Sequence, residues 1–118
     1  MVVECCFPPF VDSWPEVELT YEGLTGRVLK SPRGLTIFMA ADRDVLVPRH
    51  RHGAQWGIVL AGHMELEMGG VRESYGSGQS HYIPAGVDHE AMIYAGWRGL
   101  YIFDKSEQSV AFVGAQRA

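Results

Sequence analysis

The sequence predicts an all-β protein, either a sandwich or a barrel. Short apolar or alternating segments recur between turn residues, and 14 glycines and 6 prolines are spread along the whole chain. Many short strands joined by glycine-rich turns are typical of β-sandwiches and β-barrels. No stretch of helical length carries an apolar stripe at helical spacing. The length of 118 residues suits a single domain with one core.

The chain begins with a segment rich in proline, "FPPFVDSWPEVEL". Proline disfavours helical geometry in the residue before it, so residues 1–24 are predicted to form an extended N-terminal arm. Residues 25–105 are predicted to form the barrel, and residues 106–118 are expected to form a C-terminal strand or tail that packs on it. The adjacent Cys5 and Cys6 imply no disulfide framework, because a bond between neighbours is strained.

Ten short segments bounded by turn residues are candidates for strands. In chain order they read GRVLKS, GLTIFMAA, DVLVPRH, QWGIVLAG, HMELEM, ESYG, SHYIPAG, HEAMIYAG, RGLYIFD and VAFVG. The glycines of "MGGV", after HMELEM, predict the turn of a hairpin. Within HMELEM, Met64 and Leu66 alternate with His63 and Glu65, which places His63 on the surface.

The segment LVPRHRH carries its histidines on one strand face and its arginines on the other. The histidine face comprises Leu46, Pro48, His50 and His52, and the opposite face comprises Val47, Arg49 and Arg51. Because arginine almost never lies unpaired in a core, we predict that the histidine face is the interior.

The segment QWGIVL is apolar on both faces apart from Gln55, so both faces need cover. One face can line the barrel interior, where Gly57 leaves room beside Gln55. The other face carries Trp56, Ile58 and Leu60. We expect a second subunit to cover it, giving a homodimer that buries Trp56. The alternative is a monomer in which the N-terminal arm covers this face.

These placements bring potential metal ligands together. His50 and His52 share a face roughly 7 Å apart by strand rise, and both rings can reach one ion at bond lengths of ~2.0–2.1 Å. Gln55 can present its amide oxygen from the adjacent strand after a short turn. His89 follows the turn "IPAGVD" and starts a new strand, which makes it the candidate for a further ligand.

Two motifs resemble those of the cupins. The first cupin motif is His-X-His, then a glutamate, then a glycine after six residues. Its counterparts here are His50, His52, Gln55 and Gly62. The second motif is Gly, five residues, Pro-X-Gly, two residues, His, three residues, Asn. Its counterparts here are Gly78, Pro84, Gly86, His89 and Ile93. The resemblance covers about residues 25 to 105 and implies a jelly-roll β-barrel, or double-stranded β-helix, with an ion in its mouth.

The chain departs from the cupin pattern at three positions. Asp44 replaces a turn glycine, Ile93 replaces the asparagine and Gln55 replaces the glutamate. Glutamine offers only a neutral oxygen, so a site with three histidines stays more cationic and attracts anionic or chelating molecules. Alternatively, Gln55 orients a bound water or substrate and does not ligate.

The resemblance implies a divalent transition metal, with zinc, iron, nickel, manganese, cobalt and copper all open. We expect a metalloenzyme acting on a small carbonyl or carboxylate substrate as a dioxygenase, isomerase, cyclase or lyase. His81 shares the face of Ile83 and is a candidate acid or base, and Tyr101 is a second catalytic candidate. Tyr82 and Asp104 can also line the pocket. The alternatives are a non-catalytic module that binds a small ligand or sugar, and a metal-free polar network of histidines.

Composition limits the partners. Ten basic and 14 acidic residues give a net charge of −4, which disfavours binding to nucleic acid. No apolar stretch approaches the roughly 20 residues of a membrane helix. The N-terminal sequence "MVVECCFPPF" does not resemble a secretory signal, so we expect a cytoplasmic protein with a small-molecule ligand.

Overall fold

The computed structural model describes residues 7–17 and 19–104, and it is almost entirely β-structure. The strands are β1 Glu16–Val17, β2 Leu24–Ser31, β3 Gly34–Ala41, β4 Val45–His50, β5 Gln55–Ala61, β6 His63–Met68, β7 Val71–Gly76, β8 Ser80–Ile83, β9 His89–Ile93 and β10 Arg98–Asp104. Strands β2 to β10 match the first nine predicted segments. The tenth, VAFVG, lies outside the described residues, as do residues 106–118, Cys5 and Cys6.

Two antiparallel sheets face each other, as predicted for a jelly roll. The larger sheet has the order β1-β2-β3-β10-β5-β8 and the smaller has the order β4-β9-β6-β7. Burial alternates along most strands, most regularly in β3, because successive side chains point to opposite faces. The inner faces of both sheets meet in one core, whose largest fully buried side chains include Trp97, Phe103 and Ile37.

The N-terminal segment is less extended than predicted. A 3₁₀ helix spans Pro9–Ser13 and has proline at its start, where the missing N–H has no partner to lose. The rings of Phe7 and Trp14 pack edge-on against Phe38 of β3, at centroid distances of 5.0 and 5.5 Å. The segment therefore lies over β3, while Trp56 of β5 stays 38% exposed. The division between arm and barrel at residue 24 stays a prediction.

Strand β4 contains a bulge that corrects the predicted face assignment. Val45 and Val47 are buried, whereas Leu46 is 56% exposed. Pairing with β9 runs as far as Val47–Ala91 and resumes at His50–His89, so two residues oppose one. One of the two is Pro48, which has no N–H for the ladder. The bulge reverses the alternation, and the side chain of His50 therefore points to the same side of the sheet as the buried Val45 and Val47. The prediction that Leu46 and Pro48 share its face is wrong.

Strand β5 has the predicted orientation. Gln55, Gly57 and Val59 are buried, and Trp56 faces outward. The room beside Gly57 is filled by the ring of Tyr101 from β10: a Cβ at Gly57 would lie 2.0 Å from the ring atom Cε1. The hairpin predicted at "MGGV" is present, with Gly69 and Gly70 at φ +61° and +80°.

Candidate metal centre

Three histidines from two segments of the chain meet between the sheets. His50 ends β4, His52 follows two residues later, and His89 begins β9. His50 and His89 are cross-strand partners, and the backbone N–H of Gly86 donates to the carbonyl of His52 at 2.9 Å. One ligand nitrogen from each imidazole lies within 4.8 Å of those of the other two. The predicted histidine triad is therefore assembled, although His52 lies beyond the end of the strand.

Backbone carbonyls set the tautomer of all three rings. The Nδ1 atoms of His50, His52 and His89 lie 2.9, 2.7 and 3.0 Å from the carbonyl oxygens of Pro48, Gly53 and Val87. A carbonyl only accepts hydrogen bonds, so Nδ1 carries the proton and the neutral ring has its lone pair on Nε2. A second ring nitrogen held by a carbonyl is the usual arrangement in a metal-ligating histidine.

Burial favours the neutral form that a metal requires in two of these rings. It lowers the pKa of His52, and it lowers the pKa of His89 to about 4. Repulsion from the neighbouring imidazoles adds to the effect at both residues. Neutral imidazoles that share one centre fit a divalent transition metal, because coordination does not first require the loss of a proton.

A cavity between the sheets is lined by His50 and His89, and Gln55 lines it from the opposite sheet. Its side chain is buried, and its Oε1 atom has no hydrogen-bond partner among residues 7–17 and 19–104. A buried amide oxygen without a partner is costly. This oxygen is therefore available to accept a hydrogen bond or to coordinate an ion.

His81 and Tyr101 both reach this cavity, as predicted. His81 of β8 is 7% exposed and lies against the rings of Tyr75 and Tyr101, at centroid distances of 4.9 and 5.5 Å. Neither of its nitrogens has a partner within the described part of the chain, and burial lowers its pKa to about 4. The Tyr101 hydroxyl donates to Sδ of Met64 at 3.3 Å, and burial raises the pKa of Tyr101.

Two other pocket candidates lie outside the cavity. Tyr82 is 57% exposed and Asp104 is also exposed, so the prediction that they line the pocket is wrong. Successive side chains of a strand point to opposite faces. Tyr82 is adjacent to inward-facing His81, and Asp104 is adjacent to buried Phe103, so both Tyr82 and Asp104 point outward. Trp97 is fully buried, lines the cavity and has an unpartnered indole N–H within the described ranges. Nothing in the sequence indicates that Trp97 lies in the cavity wall, because Trp97 precedes β10 and strand alternation does not extend to it.

An exposed ion pair joins the two loops that carry the histidines. Nε of Arg51, between His50 and His52, lies 2.8 Å from Oδ1 of Asp88, which precedes His89. Both side chains are well solvated, so the pair contributes little energy.

The two facing sheets and the histidine cluster define a small jelly-roll domain with a candidate metal centre. The family model of the cupin domain matches residues 36–94, which is half of the chain, and the protein belongs to the cupin family. Among the residues that the structure covers, no helix is long and apolar enough to cross a membrane.

Solved structures show the same fold. An RmlC-like cupin from Shewanella frigidimarina has a TM-score of 0.72 at 22% identity, over 83% of this chain and 90% of that one. KdgF from Halomonas sp. has a TM-score of 0.63 at 18% identity, over 77% of this chain and 88% of that one. Oxalate decarboxylase from Bacillus subtilis has a TM-score of 0.69 at 19% identity, over 82% of this chain but 29% of that one. No curated protein matches the chain.

Proposed function

We propose that this cupin binds a divalent transition metal through His50, His52 and His89 and acts as a metalloenzyme on a small carbonyl or carboxylate substrate. The convergence of three rings, each with its lone pair on Nε2, carries the proposal. A bound ion supplies Lewis acidity that polarises a substrate oxygen. The reaction classes are dioxygenation, isomerisation, cyclisation and lyase chemistry.

Gln55 is proposed as a neutral fourth ligand, or as the group that orients a water or substrate at the centre. In either role it leaves the full charge of the ion uncompensated, because an amide and three neutral imidazoles carry no negative charge. The site therefore favours anionic oxygen donors. Its burial and unpartnered oxygen support this role.

His81 is the proposed proton acceptor. Burial lowers the pKa of His81 to about 4, so its ring is neutral near pH 7. A neutral imidazole can accept a proton as a base, but it is not the imidazolium that would act as an acid. Tyr101 is proposed as a neutral hydrogen-bond donor beside it. Its hydroxyl now donates to a thioether, a weak acceptor that a substrate oxygen can replace.

Metal content tests the centre directly. Protein purified without a metal-affinity tag should contain one ion per chain, and the His50→Ala/His52→Ala double variant should lose it. His63→Ala is the matched control, because His63 is exposed and stacks on Tyr94 outside the cavity. Wild-type protein without bound metal after reconstitution would refute the proposal.

Turnover separates an enzyme from a binding module. The metal-loaded protein is assayed with β-dicarbonyls, 2-oxo acids and uronates, and His81→Gln should lower kcat by ~10²-fold or more with metal content unchanged. Metal-dependent ligand binding without turnover of any of these compounds would identify a sensor or carrier module instead.

The outer face of the larger sheet supports a homodimer. Trp56 pairs across strands with Tyr82 on one side and Ile102 on the other, and these side chains are 38, 57 and 47% exposed. A contiguous apolar patch on a sheet is favourable to bury against a second copy. Light scattering should give twice the chain mass of 13.1 kDa, and Trp56→Glu should give the monomer. A wild-type particle of 13.1 kDa at micromolar concentration would refute the dimer.

A further inference from the structure

The cavity beside the metal centre carries no formal charge of its own. Among the described residues that line it, none is lysine, arginine, aspartate or glutamate. Most of the wall is aliphatic or thioether, including Met39, Val47, Met64, Leu66, Ile83 and Ile93. Beyond the candidate metal ligands, the remaining polar side chains are those of His81, Tyr101 and Trp97. An ion at the three histidines would be the one charge that a bound ligand meets.

With the charge confined to the metal centre, the two ends of a bound ligand meet different surroundings. An anionic group on the metal is neutralised directly by the ion. A second carboxylate that projects into the apolar part would lose its hydration without gaining a cation, which weakens the binding of such a ligand. The cavity therefore discriminates between a neutral and a charged far end.

Two buried side chains mark where a neutral polar group can bind. Both nitrogens of His81 and the indole Nε1 of Trp97 are buried without a hydrogen-bond partner in the described part of the chain. A neutral imidazole offers one donor and one acceptor, and the indole offers one donor. Both rings lie against Tyr101, at 5.5 and 5.9 Å between centroids. A carbonyl or hydroxyl oxygen matches these donors without requiring a charge.

The cavity is small but can receive a short chain. Its volume is about 40 Å³, against the ~10–15 Å³ that one ordered water requires on the same measure. A short aliphatic chain fits this space better than a polyhydroxylated ring, whose hydroxyls would find few partners in the wall.

We infer that the ligand of this site is a small monoanionic chelator with an uncharged body, and that His81 donates a hydrogen bond to one neutral oxygen on that body. The inference rests on the proposed metal centre. It makes His81 a specificity-determining residue and excludes dicarboxylates and sugar acids as preferred ligands.

Three matched probes test the inference on the metal-loaded protein. They are 2,5-dioxohexanoate, 5-methyl-2-oxohexanoate and 2-oxoglutarate, which share a 2-oxo acid head and the number of heavy atoms and end in a ketone, an isopropyl group and a carboxylate. Isothermal titration calorimetry should show 2-oxoglutarate binding at least 10-fold more weakly than either monoanion. The ketone should bind about 3- to 10-fold more tightly than the isopropyl compound, as expected for one hydrogen bond.

Variants at position 81 assign the hydrogen bond. His81→Phe should abolish the preference for the ketone over the isopropyl compound and leave the affinity for the isopropyl compound within about threefold. His81→Gln should retain part of the preference, because an amide also donates. His63→Phe is the control and should leave all three affinities unchanged, because His63 lies outside the cavity.

The outcomes separate this inference from the metal centre. Binding of 2-oxoglutarate as tight as that of the monoanions would overturn the inference, and so would the absence of binding by all three compounds to protein shown to hold one ion per chain. Neither result would affect metal binding. Failure of the metal centre is instead recognised by a chain that takes up no ion, whatever the ligands do.

Discussion

Removing the imidazole of His81 should change how stability depends on pH. Burial lowers the pKa of His81 from 6.5 in the unfolded chain to about 4 in the fold. As pH falls below 6.5, the unfolded chain takes up a proton while the native ring stays neutral. The free energy of unfolding contributed by this group is therefore complete above pH 6.5 and is lost progressively towards pH 4.

The size of the effect follows from the two pKa values of His81. The pKa difference of about 2.5 between the unfolded and native states corresponds to ~3 kcal/mol of unfolding free energy. By pH 5, protonation of His81 has stabilised the unfolded chain by about 2 kcal/mol relative to the native state. His81→Phe fills a similar volume beside Tyr75 and Tyr101 and cannot titrate. The difference in unfolding free energy between wild type and variant should therefore shift by about 2 kcal/mol between pH 7.5 and pH 5, in favour of the variant.

Urea unfolding of both proteins, in the presence of a chelator, measures this difference. Subtracting the two curves cancels the titration of the other histidines, which both proteins share. Ile83→Val is the control: it trims a buried, non-titrating side chain on the same inner face of β8 and should cost 0.5–1.5 kcal/mol at every pH. Parallel curves for wild type and His81→Phe from pH 7.5 to pH 5 would refute the reasoning.

Three further predictions concern the cavity and its metal. Gly57→Ala should lower the free energy of unfolding, measured in urea, by ~1–3 kcal/mol or more, because the new methyl would lie 2.0 Å from the Tyr101 ring. Gly76→Ala is the control and should be nearly neutral, because its methyl meets nothing closer than 3.8 Å. Metal at 100 times its Kd should raise the wild-type free energy of unfolding by about 2.7 kcal/mol, and His89→Ala should lose this gain in a thermal-shift assay. Arg51→Ala should weaken metal affinity, measured by competition with a chelator, by less than about fivefold, because its ion pair is exposed.

The elements of this fold could be predicted because each strand carries its own local signal. Short apolar or alternating segments and the glycine turns between them delimit β2 to β10. The second motif identified His89 as a candidate ligand, and the structure places it opposite His50. The bulge in β4 could not be read from alternation, because a single extra residue reverses the faces on either side of it. The inward placement of His50 and His52 was predicted correctly, because the solvation of Arg49 and Arg51 constrains their neighbours, whereas the placement of Leu46 before the bulge was wrong.

Contacts between distant residues account for the rest. Nothing in QWGIVL indicates that the space above Gly57 is taken by Tyr101, because that ring arrives from a strand more than 40 positions later in the chain. The tautomers of the histidines depend on carbonyl positions that only the folded backbone defines. Sequence therefore identifies the candidate ligands but not the reason that their lone pairs converge.

The backbone origin of these contacts has a consequence for the metal centre. Each Nδ1 is held by a carbonyl no more than two residues away in the chain, so the ring orientations follow from the local path of the β4 bulge and the turn before β9. Side chains elsewhere in the cavity can then differ without reorienting the ligands. The two parts of the site are separable in physical terms: the backbone orients the rings where an ion would bind, and His81 with the apolar wall would determine which ligand that ion accepts.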